Sequence, residues 1–589
     1  MLNTLPKYTM RKEILTLRNL LIICLSILVY ACSSPEGNLV LKDGKAYFEY
    51  FKYSGNDAYF NENPLADGQF YNPILSGFFP DPSICKKGDD YYIVNSTFSF
   101  FPGIPIFHSN DLVNWKQIGH VLDRPSQFIN FNQPVSWGIF APAITYNPYN
   151  DLFYLTTTYV GGGGNFVVTA KNPAGPWSDP VWLPEVPGID PSLFFDDDGK
   201  AYILNNDDPE GEPLYQGHKA IWLQEFDTNT NTTFGPRRII RNGGHNLAEK
   251  PIWIEGPHIY KLNGYYYLMT AEGGTSINHA QVIFRSKNIW GPYQTFEGNP
   301  ILTQRDLDKN RPNPITNTGH ADLIQDKNGH WYAIFLACRP YTPDNIFNIG
   351  RETFLLPVTW NDEGWPIILE RGLEVPMTLD LPQGVSSREH ENGFMKRGNF
   401  SFVEDFKSSQ LPLEWFFLRT PSDNWLELDE SRGGVLVEAR PVSLRERKHP
   451  SFIGTRQRHH DFEAETVMHY LPKVSSDLAG LVLFQNEAFH YTFGVSNIDG
   501  ENFVVLQKAT MEDDKVAKEI VALNQLPYEF RGKINLRVKC SSGKFSFFYK
   551  INKKEWKLIA EGLDASYLST ERAGGFIGTI LGFYASSNE

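Results

Sequence analysis

Five cysteines in 589 residues are too few and too scattered for a disulfide framework or a Cys/His metal site. Cys24 and Cys32 lie in an N-terminal apolar run. Cys85, Cys338 and Cys540 fall singly in strand-like segments, where a small buried apolar side chain is the expected role. The chain also lacks any run of Lys or Arg that could make a basic groove. With 54 basic against 68 acidic residues its formal charge is −14, which repels nucleic acid and anionic lipid and argues against both as partners. What is abundant is apolar and aromatic surface. A hydrophobic content of 41% over this length predicts two to four domains with large cores. An aromatic content of 14% suits a β-rich interior or a surface that stacks on sugar rings.

At the N-terminus, Lys7, Arg11, Lys12 and Arg18 precede the apolar run LLIICLSILVYAC (residues 20–32), which is too short to span a membrane stably. Residues 1–31 read as a signal peptide. The ending Val29-Tyr30-Ala31-Cys32 resembles a bacterial lipobox, which implies cleavage before Cys32 and lipidation of that residue. The expectation is an exported lipoprotein, periplasmic or outer-membrane associated, that meets the membrane only through its lipid anchor.

A unit then recurs five times: DPSICKKGDDYYIV from Asp81, APAITYNPYNDLFYLT from Ala141, DPSLFFDDDGKAYIL from Asp190, GPHIYKLNGYYYLM from Gly256 and GHADLIQDKNGHWYAIF from Gly319. Each copy is a short apolar strand, a Gly/Asp/Asn turn and an aromatic-led strand, the signature of a hairpin. A third strand and a weaker fourth follow in most copies. Four strands per unit at spacings of about 50 to 65 residues describe propeller blades, and five units a five-bladed β-propeller over residues 71–380. The innermost strand of each blade runs along the central axis, so the starts of these strands converge on one mouth of the channel. Asp81, Asp190 and Glu255 occupy or adjoin that equivalent position. Three acids gathered in a partly desolvated pocket raise at least one pKa, as a general acid at neutral pH requires.

Taken together, the motifs NPILSGFFPDPSI, STFSFFPGIPIFHSNDLVNW, GIDPSLFFDDDG, EGPHIYKLNGYYYLMTAEGGT, TGHADL and GRETFLLPV resemble glycoside hydrolase family 43, in its exo-acting β-xylosidase and α-L-arabinofuranosidase branch. The resemblance implies an inverting hydrolase with Asp81 as general base, Glu255 as general acid and Asp190 as the acid that tunes and orients it. It also assigns His320 and Arg351 to the sugar pocket, and implies no required cofactor, a structural Ca²⁺ near His320 being compatible with the pattern. Phe98, Trp137, Phe140 and His279 are candidates for shaping the pocket, Phe140 standing where Trp is usual in the family. The implied substrate is plant hemicellulose or its oligosaccharides. A non-catalytic carbohydrate-binding lipoprotein is the alternative, disfavoured by retention of all three acids.

After a polar linker (residues 381–400), alternating short strands from residue 401 to 589 predict an all-β, jelly-roll sandwich. The resemblance implies a concanavalin-like module that walls the active site, with Phe576 as its contribution. Residues 32–70 read as an N-terminal extension, in which 38–68 carry no pattern that places them. No signal for an oligomeric state is present.

Overall fold

The computed structural model describes residues 44–388, 390–512, 515–552 and 554–588; the signal peptide and Cys32 lie outside the described residues. Five antiparallel sheets follow one another along the chain. Their innermost strands are Ser83–Lys87, Gly138–Asn147, Ile189–Phe195, Glu255–Leu262 and Thr316–Gln325. Each sheet is apolar on both faces because successive side chains alternate between neighbouring blades. In the strand Ala201–Asp207, Ile203 packs toward blade two, with Tyr154 and Val167, while Tyr202 and Leu204 pack toward blade four, with Leu268 and Phe284. Five such interblade cores make the wheel.

The ring closes without a shared strand. The Asn72 side chain stands in for a strand backbone, donating to Leu355 O at 2.9 Å and accepting from Leu355 N at 3.0 Å. Beside it, Gln69–Tyr71 pairs with Thr378–Asp380.

The second body is a sandwich of a nine-stranded and an eight-stranded sheet around a core that includes Phe48, Trp415, Phe493, Phe547 and Phe583. Here the structure adds what the sequence pattern could not. Lys45–Phe48 and Phe51–Gly55, from the unplaced N-terminal region, are strands of the nine-stranded sheet, both pairing with Phe462–His469. The chain thus starts the sandwich, builds the propeller, and returns. Residues 381–400 are no free tether either: Met395 and Arg397 are buried, Met395 N donates to Trp115 O at 2.8 Å, and Arg397 donates to Val113 O.

The two bodies share an interface at backbone distance. Phe100–Phe101 of the first blade pairs with Phe416–Leu418 and so extends the eight-stranded sheet. Gly350, at φ +88°, faces Gly578 so closely that a Cβ on it would lie 2.8 Å from Gly578 N. Arg456 of the sandwich donates to Phe78 O at 2.6 Å and lies 4.1 Å from the ring centre of Phe79, and burial holds its pKa down to about 9. It secures the backbone three residues before Asp81.

Candidate active site

Near the start of each inner strand, at or beside the cavity-facing position, stands a residue with left-handed backbone: Asp81 (φ 50°), Ala141 (35°), Asp190 (55°), Gly256 (56°) and His320 (49°). In blades two to five the pairing register shifts around this residue, the mark of a bulge that re-aims a side chain. Non-glycine residues at positive φ are uncommon and cluster at functional sites, so the fivefold recurrence is a built feature. It also refines the equivalence read from sequence. Asp81 and Asp190 are true counterparts, whereas Glu255 precedes its blade's left-handed residue by one. Gly256 holds that place because a Cβ there would come within 2.9 Å of the His320 ring.

The three acids line one cavity of about 420 Å³ with His320, Arg351, Phe98, Phe140 and Phe576. Asp81 is buried. Its Oδ2 accepts from Ser96 Oγ at 2.6 Å and its Oδ1 from Arg351 Nη1 at 2.5 Å. Ser96 is itself fixed, because its oxygen accepts the Ala141 N–H at 2.7 Å. Arg351 also donates to Thr275 Oγ1 at 3.2 Å, and to Phe576 O at 3.4 Å.

Asp190 Oδ2 accepts from Gly256 N at 3.0 Å, which ties it to the peptide that follows Glu255. Burial, and then the charge of Asp81, push the Asp190 carboxyl up to about 7. Glu255 reaches partly into the cavity; burial, followed by the charges of Asp190 and Asp81, raises its pKa well above the usual carboxylate range. The pocket therefore holds both a carboxyl that keeps its proton near neutrality and a carboxyl clamped by a guanidinium, the two kinds of group that acid and base catalysis need.

Phe98, Phe140 and Phe576 form one aromatic wall. Phe98 stacks on Phe576 at 5.9 Å between centroids, and Phe140 meets both edge-on at 4.9 and 5.7 Å. Phe576 comes from the sandwich, so the cavity is completed only by the second body. His320 faces the cavity, and burial lowers its pKa to about 4. The carboxylates beside it are already engaged, Asp81 as above and Asp322 by Ser83, Ile84 and Tyr260. With those oxygens engaged, a Ca²⁺ beside His320 would draw most of its roughly six to eight ligands from water. Among the described residues no group of three or more His, Cys, Asp or Glu could hold a metal ion.

Two candidates sit outside the cavity lining. His279 lies behind it, with Nδ1 at 3.0 Å from Asn317 O and its ring against Gly319, where a Cβ would come within 2.6 Å. It supports the peptide before His320. Trp137 is 46% exposed, and its carbonyl accepts from Ser99 Oγ. Sequence reasoning missed Ser96, Thr275, Ile252 and Trp253. The first two lie within or beside the quoted motifs, while Ile252 and Trp253 are flagged only by large apolar side chains just before an acid. A larger cleft of about 810 Å³ opens between the loops of blade five and the sandwich. Two of its acids are paired, Asp57 with Arg339 and Asp564 with Arg572.

Residues 70–366 match glycosyl hydrolases family 43, and residues 403–589 match the beta xylosidase C-terminal concanavalin A-like domain. The chain is 40% identical to a xylosidase/arabinosidase of Butyrivibrio fibrisolvens over 525 residues, covering 88% of this chain and 96% of that one. It is 36% identical to the non-reducing end alpha-L-arabinofuranosidase BoGH43B of Bacteroides ovatus, covering 89% and 92%. A solved GH43_12 structure retrieved from a capybara gut metagenome superposes with a TM-score of 0.85 at 43% identity, covering 92% of this chain and 99% of that one. With its propeller, its sandwich and its cavity of acids all within these matches, the chain belongs to glycosyl hydrolases family 43.

Proposed function

We propose that the protein is an exo-acting, inverting glycoside hydrolase that removes terminal pentosyl residues, α-L-arabinofuranosyl or β-D-xylosyl, from plant hemicellulose or its oligosaccharides. The observation that carries this reading is the convergence of Asp81, Asp190 and Glu255 on one cavity with opposite surroundings. Glu255 gives its proton to the leaving oxygen while Asp81 takes one from a water attacking the anomeric carbon from the far face. Asp190 holds Glu255 protonated and fixes the adjoining peptide. Arg351 orients Asp81 and offers donors to sugar hydroxyls, and the three phenylalanines give the ring an apolar face. These steps use carboxyl groups and water, and call for no cofactor.

The printed names of the relatives, xylosidase/arabinosidase and arabinofuranosidase, support the pentose class. A protein that only bound sugar would have no use for three acids that cost free energy to desolvate together. The test is release of nitrophenol from the α-L-arabinofuranoside and β-D-xyloside, with the first-formed sugar followed by proton NMR. Hydrolysis of at least one, with the anomeric configuration inverted, is expected; silence on both, or a retained anomer, overturns the reading.

The N-terminal charges, apolar run and Cys32 support export as a lipid-anchored protein. Cys32→Ala should then leave the protein soluble after cell lysis, where the unaltered chain pellets with membranes.

A further inference from the structure

Beside Glu255 the cavity wall is made of large apolar side chains left open to solvent. Ile252 and Trp253 line the cavity and are 40% and 38% exposed, whereas Ile254 between Trp253 and the acid is fully buried. Their placement is rigid. Trp253 N donates to Gly217 O and Gly273 N to Ile252 O, both at 2.8 Å, so the segment is pinned between loops of blades three and four. Ile252 sits on two glycines: a Cβ at Gly217 would lie 2.9 Å from it, and one at Gly274 would touch both Ile252 and Trp253. Trp253 has φ +52°, a conformation rare for a bulky residue and sustained only where the surroundings enforce it. The Lys219 ammonium, paired with Asp208 at 2.6 Å, lies 4.9 Å from the indole centre and holds the ring in place.

Exposed apolar surface on a rigid support next to a reacting group marks a binding surface. On the hydrolase reading above, Glu255 protonates the leaving oxygen, so the wall beside it faces the leaving group rather than the departing pentose. We propose that Ile252 and Trp253 form the platform on which the leaving-group sugar stacks, and that they make this enzyme select bonds whose leaving group is itself a pyranose ring of a longer chain. The pentose is gripped by the phenylalanine wall and Arg351; the chain it leaves is read by Trp253.

Two measurements test this with Trp253→Ala and Trp253→Phe. In the first, kcat/KM is compared on a xylo-oligosaccharide carrying the cleavable pentose and on the corresponding pentosyl fluoride, whose leaving group is too small to reach the platform. The Ala variant should lose about tenfold to a hundredfold on the oligosaccharide and little on the fluoride, with Phe restoring most of the difference. In the second, xylotriose binding is followed by calorimetry in the Glu255→Gln background, where turnover plays no part; Trp253→Ala should weaken it about tenfold or more. A loss confined to the oligosaccharide with xylotriose affinity unchanged would make Trp253 a support for Glu255 and overturn the proposal, as would equal losses on both substrates or unchanged oligosaccharide kinetics. If the wild type cleaves neither substrate yet binds xylotriose through Trp253, the platform stands and the hydrolase reading falls.

Discussion

Asp81 and Glu255 line the same cavity, and their surroundings are built from different parts of the chain. Asp81 receives two short hydrogen bonds, from Ser96 and Arg351, and its wall leans on the sandwich: Arg456 holds Phe78, and Phe576 covers Arg351. No hydrogen bond to the Glu255 side chain is found among the described residues, and its wall is propeller alone, with Asp190, Gly256 and the Ile252–Trp253 segment. The same chemical group is thus steered to opposite tasks by donors on one side and by burial and like charge on the other. Acid and base are set by neighbours, which the comparison makes separable by mutation.

The largest expected effects remove the acids themselves. Asp81→Asn and Glu255→Gln should each lower kcat on an oligosaccharide by about 100- to 10,000-fold, the range for a positioned acid or base. The two should part on a dinitrophenyl pentoside, whose leaving group departs without a proton. Glu255→Gln should recover most of its rate there, and Asp81→Asn should not; matching recoveries would erase the difference between the walls.

Asp190 sharpens it further. Its charge is one cause of the raised Glu255 pKa, so Asp190→Asn should bring that pKa down and shift the alkaline limb of kcat/KM toward lower pH by about one unit or more, a tenfold or greater loss on that limb. The same substitution should stabilise the fold. Between the ordinary carboxyl value and about 7, the folded state keeps Asp190 protonated while the unfolded chain ionises, so the wild type loses stability as pH climbs through that window. The gain in Asp190→Asn should therefore be near zero at pH 4 and on the order of 1–3 kcal/mol at pH 8, read from denaturant midpoints.

Much of the propeller half was legible in the sequence because each blade is local: hairpin, turn and third strand lie within one repeat, and DPS occurs twice at the same offset. The one-residue offset of Glu255 was not, since it depends on a bulge whose left-handed residue happens to be glycine. The sandwich half was legible as alternating strands but not in its membership. Phe48 pairs with Met468 and Tyr53 with Ala464, more than 400 positions away, and short period-two strands carry no label of their partner. Trp137, a candidate for shaping the pocket from outside the quoted motifs, is found outside its lining, while Trp253, equally outside those motifs, lines it. Which tryptophan faces the cavity is decided by backbone turns at Gly138 and by the Gly217 and Gly273 hydrogen bonds, not by composition.

The smallest expected effect probes the sandwich's share of the Asp81 wall. Phe576 stacks on Phe98 and lies over Arg351, so Phe576→Ala opens one side of the pentose site and loosens the guanidinium that orients Asp81. A loss of about tenfold in kcat/KM is expected, carried by both KM and kcat. Because Glu255 and Asp190 take their environment from the propeller, the alkaline limb of the pH profile should stay where it is in the wild type. A limb that moves with Phe576→Ala would mean that the sandwich also sets the proton affinity of the acid, and that the two walls are not independent.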